Sequence, residues 1–164
     1  MSLMQSSSIN RTQTILIILL IAIAGLLIRL VFYPYNIPVA ADAMDYFSYS
    51  MALARGDIFP DGYLINKFGW SVFLSSFFAI SNATEMIDFM NIQRIVSMIV
   101  SVATIIPLYY LIKNFYKKEV AIIAASLFIF SPKIIENSLL GITEPLFILL
   151  ELTCLVLFLQ NNFK

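Results

Sequence analysis

The sequence predicts an all-α integral membrane protein with about four transmembrane helices and with interfacial helices in a long first external loop. Its residues are 60% hydrophobic and 12% charged, whereas soluble domains are about half apolar and a quarter charged. The mean hydropathy is +0.90. Apolar runs long enough to cross a bilayer recur along the chain, and most charged residues lie between them.

The first span is predicted at residues 14–33, after a polar, Ser-rich tail at residues 1–13 that we assign to the cytoplasm. Its 20 residues are apolar apart from Arg29, and at about 1.5 Å per residue they cross a hydrocarbon core of about 30 Å. Arg29 stands near the far end, so its side chain is expected to snorkel to the interface. Pro34 then ends the helix.

Residues 34–90 form the long external loop. Within it, residues 68–80 are apolar enough for a span, but a helix of 13 residues reaches only about 20 Å. This stretch also has an aromatic side and a small, more polar side. The aromatic side carries Trp70, Phe73, Phe77 and Ile80, and the other side carries Ser71, Ser75 and Ala79. We therefore predict a helix that lies in the membrane interface.

Three further spans are predicted at residues 91–112, 119–135 and 143–160. Residues 34–90 contain six acidic and two basic residues, whereas residues 113–119 contain three Lys and one Glu. Because cytoplasmic loops are enriched in Lys and Arg, this asymmetry favours an external acidic loop and a cytoplasmic lysine loop. Four spans give that arrangement, whereas a fifth span at residues 68–80 would place the lysine loop on the external side.

Composition excludes several classes of function. The chain has no His, and its one cysteine, Cys154, lies in an apolar run. Disulfides within the chain, thiolate metal clusters and imidazole catalysis are therefore excluded. Ten basic residues balance ten acidic residues, so nothing indicates a nucleic-acid partner.

The stretch that follows the first span has the strongest pattern of a site. If residues 42–54 form a helix, two carboxylates and two phenols share one face, and apolar side chains occupy the other. The first face carries Asp42, Asp45, Tyr46 and Tyr49; the second carries Met44, Phe47, Met51 and Ala54. The alternative is an ordinary surface helix whose first turn holds acids because the helix dipole favours them.

Seven short motifs follow one another along the chain. They are Asp42 with Tyr46, Arg55-Gly56, Lys67-Phe68-Gly69-Trp70, Arg94-Ile95-Val96-Ser97, Lys117-Lys118, Ser131-Pro132 and Gly141-Ile142-Thr143-Glu144. In this order they resemble the N-terminal part of a GT-C glycosyltransferase, as in the dolichyl-phosphate-mannose protein mannosyltransferases and the bacterial lipid A aminoarabinose transferases.

The chain also departs from that family. Ala43 follows Asp42 where many members have a second acid, and Phe68-Gly69 follows Lys67 where Pro-Pro is frequent. Family members are longer, with more membrane helices. We therefore expect either a truncated or split product, or a chain that works with a second chain supplying the C-terminal part. In both cases we do not expect catalysis by these 164 residues alone.

The resemblance implies a reaction on the external or lumenal face of the cell membrane, or of the endoplasmic reticulum in a eukaryote. A sugar passes from a polyprenyl or dolichyl phosphate carrier to a protein or lipid acceptor. Asp42 would be the base that takes the acceptor proton, and Asp45 would orient the acceptor. Lys67, Arg94 and Tyr46 would bind the substrate. Lys67 is the first candidate for the cation at the carrier phosphate, and Arg94 or Arg29 is the second. Lys67 and Arg94 have an alternative role as interfacial anchors.

No cofactor is required by the resemblance. A divalent cation is the alternative, because oxygen ligands from Asp42, Asp45 and Glu144 would suit Mg²⁺ or Mn²⁺. Glu144 has a second interpretation as an acid in the first turn of a helix with Pro145. Glu151 lies seven residues further on the same face, at a depth where a carboxylate needs a partner helix or a cavity.

A non-catalytic function is the competing hypothesis. The chain would then be a small membrane subunit, or half of a transporter in which Glu151 and Arg29 belong to a polar pathway. The acidic, turn-rich external loop favours the transferase.

Overall fold

The computed structural model describes residues 10–58 and 68–162, and this part of the chain is helical with no strand. In chain order the helices are α1 (Arg11–Val31), α2 (Asp42–Ala54), α3 (Phe68–Ile80), α4 (Met86–Ala103), α5 (Ile105–Lys113), α6 (Lys118–Ile129), α7 (Pro132–Leu140) and α8 (Glu144–Asn162). The predicted all-α class is confirmed for these residues.

Within the described residues, three helices are long and apolar enough to cross a membrane: Arg11–Val31, Met86–Lys113 and Glu144–Asn161. The second runs from α4 through Thr104 into α5. Its helical hydrogen bonding is perturbed there because Pro107 has no N–H to donate to the preceding turn. Neighbouring helices make such a break tolerable in a membrane.

The third predicted span, residues 119–135, is not confirmed as a continuous helix. α6 has only 12 residues, which reach about 18 Å, and the chain breaks before α7. Ser131 is extended and Pro132 occupies the first turn of α7. A residue before proline avoids the helical conformation, and proline itself fits the first turn of a new helix.

Small side chains allow α6 to pack closely in the bundle. Ala121 and Ala125 are fully buried against α5 and α1. At the end of α6, Ile129 lies so near Gly25 of α1 that a Cβ added there would stand 3.1 Å from it. Close approach at small residues is the usual basis of helix packing in membranes.

Helix α3 has the predicted limits, but its predicted faces are partly wrong. Trp70 of the aromatic side is buried, but so is Ser71 of the other side, and Ile80 of the aromatic side is 80% exposed. The reason is that α3 packs against both α2 and α4, so the buried stripe follows Trp70, Leu74 and Phe78. Its placement in the membrane interface stays a prediction.

The outer surface of the bundle is strongly apolar. Leu16, Leu20 and Leu27 of α1 are each more than half exposed, as are Ile123 and Leu127 of α6. Water-soluble proteins rarely expose contiguous apolar surface of this extent. These faces are therefore suited to lipid.

Two glycines with positive φ provide a matched test of the packing. Gly141 has φ +76, and an added Cβ would stand 3.1 Å from Cγ of the buried Gln93; Gly56 has φ +90 and open space around it. We expect Gly56→Ala to lower the free energy of unfolding by about 1 kcal/mol through backbone strain alone. Gly141→Ala should cost about 2–3 kcal/mol, because overpacking adds to the strain.

Unfolding of the purified protein in detergent micelles measures both variants. Equal losses would show that the close approach at Gly141 contributes nothing.

Candidate functional site

The two predicted acids lie at the start of α2, and both are exposed. No side chain caps this helix. Instead the preceding backbone turns sharply at Ala41, with φ 50 and ψ −135, and the carbonyl of Ala41 accepts from the N–H of Met44. An alanine in this conformation is strained, and such strain is concentrated at functional sites. Asp42 and Asp45 thus occupy the positive end of the helix dipole, facing out of the bundle.

The two tyrosines do not share the exposed face with the acids, which corrects the predicted arrangement of α2. Tyr46 is 5% exposed and packs with Trp70 and Leu74, whereas Met44 is 38% exposed. Burying a large aromatic ring contributes more than burying the flexible Met side chain, so the helix is rotated from the predicted orientation. Tyr46 therefore offers a bound substrate little surface.

Tyr49 braces the segment that follows α2. Its hydroxyl donates to the carbonyl of Ile58 at 3.1 Å, and its ring meets that of Phe68 edge to face. Burial, with a smaller contribution from the Asp57 carboxylate, raises the pKa of Tyr49. The phenol therefore remains a donor at neutral pH.

Arg94 holds the loop that leads into the acidic helix. It is 4% exposed, and its guanidinium donates to the carbonyls of Ile37 and Pro38. Its Nε is also buried and has no hydrogen-bond partner among the described residues. Arg94 thus fixes the backbone a few residues before Asp42 and keeps one donor unused.

A cavity of about 660 Å³ opens beside Arg94. Phe32 and Pro38 line it from the loop side, and Ile135 and Leu139 line it from α7. The walls are mainly apolar and carry two charged side chains, Arg94 and Glu136. Glu136 forms an ion pair with Lys133 at 3.0 Å. Ala40, which also lines the cavity, is two residues from Asp42, so the acidic helix begins at the rim.

Two buried side chains, Trp70 and Gln93, join α3 and α4 to α2 and to the turn after α7, and sequence reasoning did not assign this role to them. The carbonyl of Gly141 accepts from Nε1 of Trp70 at 3.0 Å and from Nε2 of Gln93 at 2.8 Å. Gln93 also donates to the carbonyl of Ala43 at 2.9 Å. The one available signal was Gln93 itself, a polar residue in an apolar helix.

Residues that belong to four of the sequence motifs, or lie next to them, therefore meet at one end of the bundle. Ala43 follows Asp42, Trp70 closes the motif that begins at Lys67, Gln93 precedes Arg94, and Gly141 opens the motif that ends at Glu144. Trp70 and Gln93 donate to the carbonyl of Gly141, and Gln93 also donates to the carbonyl of Ala43. We call this group the motif junction.

The structure does not bring the proposed metal ligands together. Glu144 is exposed at the start of α8. Among the described residues no three acidic, His or Cys side chains form a group that could hold a metal ion. Asp42, Asp45 and Glu144 are therefore not a ligand set here. Lys67 lies outside the described residues.

Arg29 is fully buried and does not snorkel, which corrects the sequence prediction. Its guanidinium donates to the carbonyls of Gly25 and Ile129 and to the hydroxyls of Ser101 and Ser138. Because α6 ends at Ile129, its last carbonyls lack helical partners and attract a cation. Arg29 thus joins α1, α4, α6 and α7.

The environment of Glu151 contrasts with that of the buried Arg29. It is exposed midway along α8, and it has no hydrogen bond or ion pair with the residues that the structure describes. α8 touches α4, α5 and α7 on its other side.

Comparisons of the chain with family models, curated proteins and solved structures gave no match.

Proposed function

We propose that the chain is a membrane glycosyltransferase of the GT-C type, or the N-terminal part of one, acting with a polyprenyl-phosphate-linked sugar. The observation that carries the proposal is the motif junction, because residues in or next to four motifs far apart in sequence meet where the exposed acids begin α2. An ordinary scaffold has no need to combine an acidic pair, a buried arginine and a cavity at one end.

The proposal includes four membrane crossings, the third made by α6 and α7 together. Ile129 at the end of α6 packs on Gly25, well along α1. Gly141, just after α7, packs on Gln93 in the second turn of α4. A broken helix formed by α6 and α7 between these two packing contacts would extend from the lysine loop to the end of the bundle that holds Asp42.

The roles of the residues follow from their surroundings. Asp42 would take the proton of the acceptor hydroxyl or amide, and Asp45 would orient the acceptor. The apolar cavity beside Arg94 suits an isoprenoid chain, and the guanidinium would stabilise the carrier phosphate as it leaves. Lys67 would supply a second positive charge. Among the described residues no three candidate ligands form a metal site, so these roles are assigned without a metal ion.

Binding of the donor tests the proposal even if transfer requires a further chain. We expect photoactivatable polyprenyl-phosphate sugar to label the purified protein in preference to the free polyprenol. Arg94→Gln should weaken binding of the donor about tenfold, since a hydrogen bond to a charged group contributes about 1.5–3 kcal/mol. Arg55→Gln, at an exposed position, is the control.

Equal labelling by donor and polyprenol would contradict the proposal. Because Arg94 also holds the loop before α2, the thermal stability of each variant is measured alongside. We expect a tenfold loss in affinity, measured at a temperature at which both variants are folded, together with a loss of thermal stability in Arg94→Gln from the two hydrogen bonds to the loop.

Glu151 favours a second candidate, a non-catalytic subunit of a membrane assembly. An exposed carboxylate midway along a membrane helix is costly unless another helix supplies a partner. Loss of a co-purifying membrane protein in Glu151→Leu, with donor binding absent from the original chain, would favour this alternative.

A further inference from the structure

A second cavity lies at the opposite end of the bundle from the motif junction. It has a volume of about 590 Å³ and runs between α1 and the continuous α4–α5 helix. Ile18, Leu19 and Ala22 line one wall, and Ala103 and Ile106 line the other. Its size is in the range of ligand sites, about 300–1,000 Å³. We call it the basal groove.

Three cations from three helices surround one end of the basal groove: Arg11, Lys113 and Lys118. No carboxylate is among its described lining residues, and Glu119, next to Lys118, does not line it. Lys113 lies 5.9 Å above the ring centroids of both Tyr109 and Tyr110. This cation–π geometry holds the ammonium at the rim.

The helix termini increase the positive potential at the same place. Arg11 is the first residue of α1, and Lys118 is the first residue of α6. A cation at a helix N-terminus is unfavourable for the helix, because the dipole is positive there. Helix stability therefore does not explain why two such cations face one groove, and their charge favours an anion there.

We propose that the basal groove binds an anionic phospholipid, with an acyl chain along the apolar walls and the phosphate among the three cations. An anionic phospholipid matches both the positive charge and the apolar length of the groove, whereas a neutral lipid would match only the apolar walls and a free phosphate only the charge. Basic pockets between membrane helices recognise anionic headgroups in this way. The proposal is independent of sugar transfer.

Retention of lipid by the purified protein tests this site. We expect native mass spectrometry in mixed micelles to show dioleoyl phosphatidylglycerol retained in preference to dioleoyl phosphatidylcholine. Arg11→Gln and Lys113→Gln should each weaken retention of phosphatidylglycerol about fivefold, since one basic residue near an anionic surface contributes about 1 kcal/mol. Lys117→Gln, exposed beside the groove but outside its lining, should retain the original preference.

A groove-filling variant separates the acyl chain from the charge. Ala103→Trp should reduce retention of both lipids, whereas Ile123→Trp on the 60% exposed outer face of α6 should not. Equal retention of the two lipids by the original protein would overturn the proposal. Unchanged retention of phosphatidylglycerol in both Arg11→Gln and Lys113→Gln would also overturn it. A third contrary result is complete competition by inorganic phosphate together with no effect of Ala103→Trp.

Discussion

Sugar transfer should fall at least about a hundredfold when Asp42 is replaced by Asn, because a positioned general base contributes about 10²–10⁴-fold to the rate. The amide has nearly the same shape but cannot accept the acceptor's proton. Asp42 begins α2 beside the motif junction, with its side chain exposed. The rate is measured in membranes of the producing cell, so that any further chain is present.

Asp57→Asn is the matched control, since Asp57 is also exposed but lies beyond the end of α2. It should retain most of the activity. Insertion into the membrane should be the same for both variants, because neither residue lies in a span. An Asp42→Asn protein that transfers sugar at the original rate would remove Asp42 from the role of base.

Arg29→Ala should lower the free energy of unfolding by about 3 kcal/mol, the largest stability effect that we expect. The substitution leaves a cavity where four helices meet and removes the cation from the carbonyl of Ile129. One contribution to the free energy of unfolding opposes this loss of stability. Among the described residues no carboxylate pairs with Arg29, so removing its charge relieves a desolvation penalty.

Arg29→Met separates the two effects, since methionine fills most of the volume without the hydrogen bonds. Its loss should be smaller than that of Arg29→Ala. Arg11→Ala, exposed at the other end of the same helix, should change stability by less than about 0.5 kcal/mol. Unfolding in detergent micelles provides the comparison, and an Arg29→Ala protein as stable as the original would contradict the buried network.

Sequence patterns predicted those parts of the fold that depend on local hydropathy. The run around Arg29 gave α1, and the short apolar run at residues 68–80 matches α3 at both ends. The exposed positions of Asp42 and Asp45 were also predictable, because acids in a first helical turn rarely turn inward. Pro132 marks the break in the sequence, but the predicted span extended past it because the span was assigned from hydropathy alone.

The remaining features depend on partners that are distant in the chain. Arg29 is buried because Ser101 and Ser138 lie opposite it, and no local pattern links these three positions. Tyr46 turns inward because α3 and α4 supply an aromatic and aliphatic pocket. Helical periodicity establishes which residues share a face, but the packing partners decide which face is buried.

The separation of an acidic end from a basic end is the central claim of this account, and single-cysteine labelling tests it most directly. In a Cys154→Ser background, cysteines replace Asp42, Phe115, Glu136 and Asn161, all exposed. An impermeant maleimide applied to intact cells should label positions 42 and 136, and should reach 115 and 161 only after permeabilisation. Labelling of 136 together with 115, and not with 42, would contradict the third crossing and the separation of the two ends.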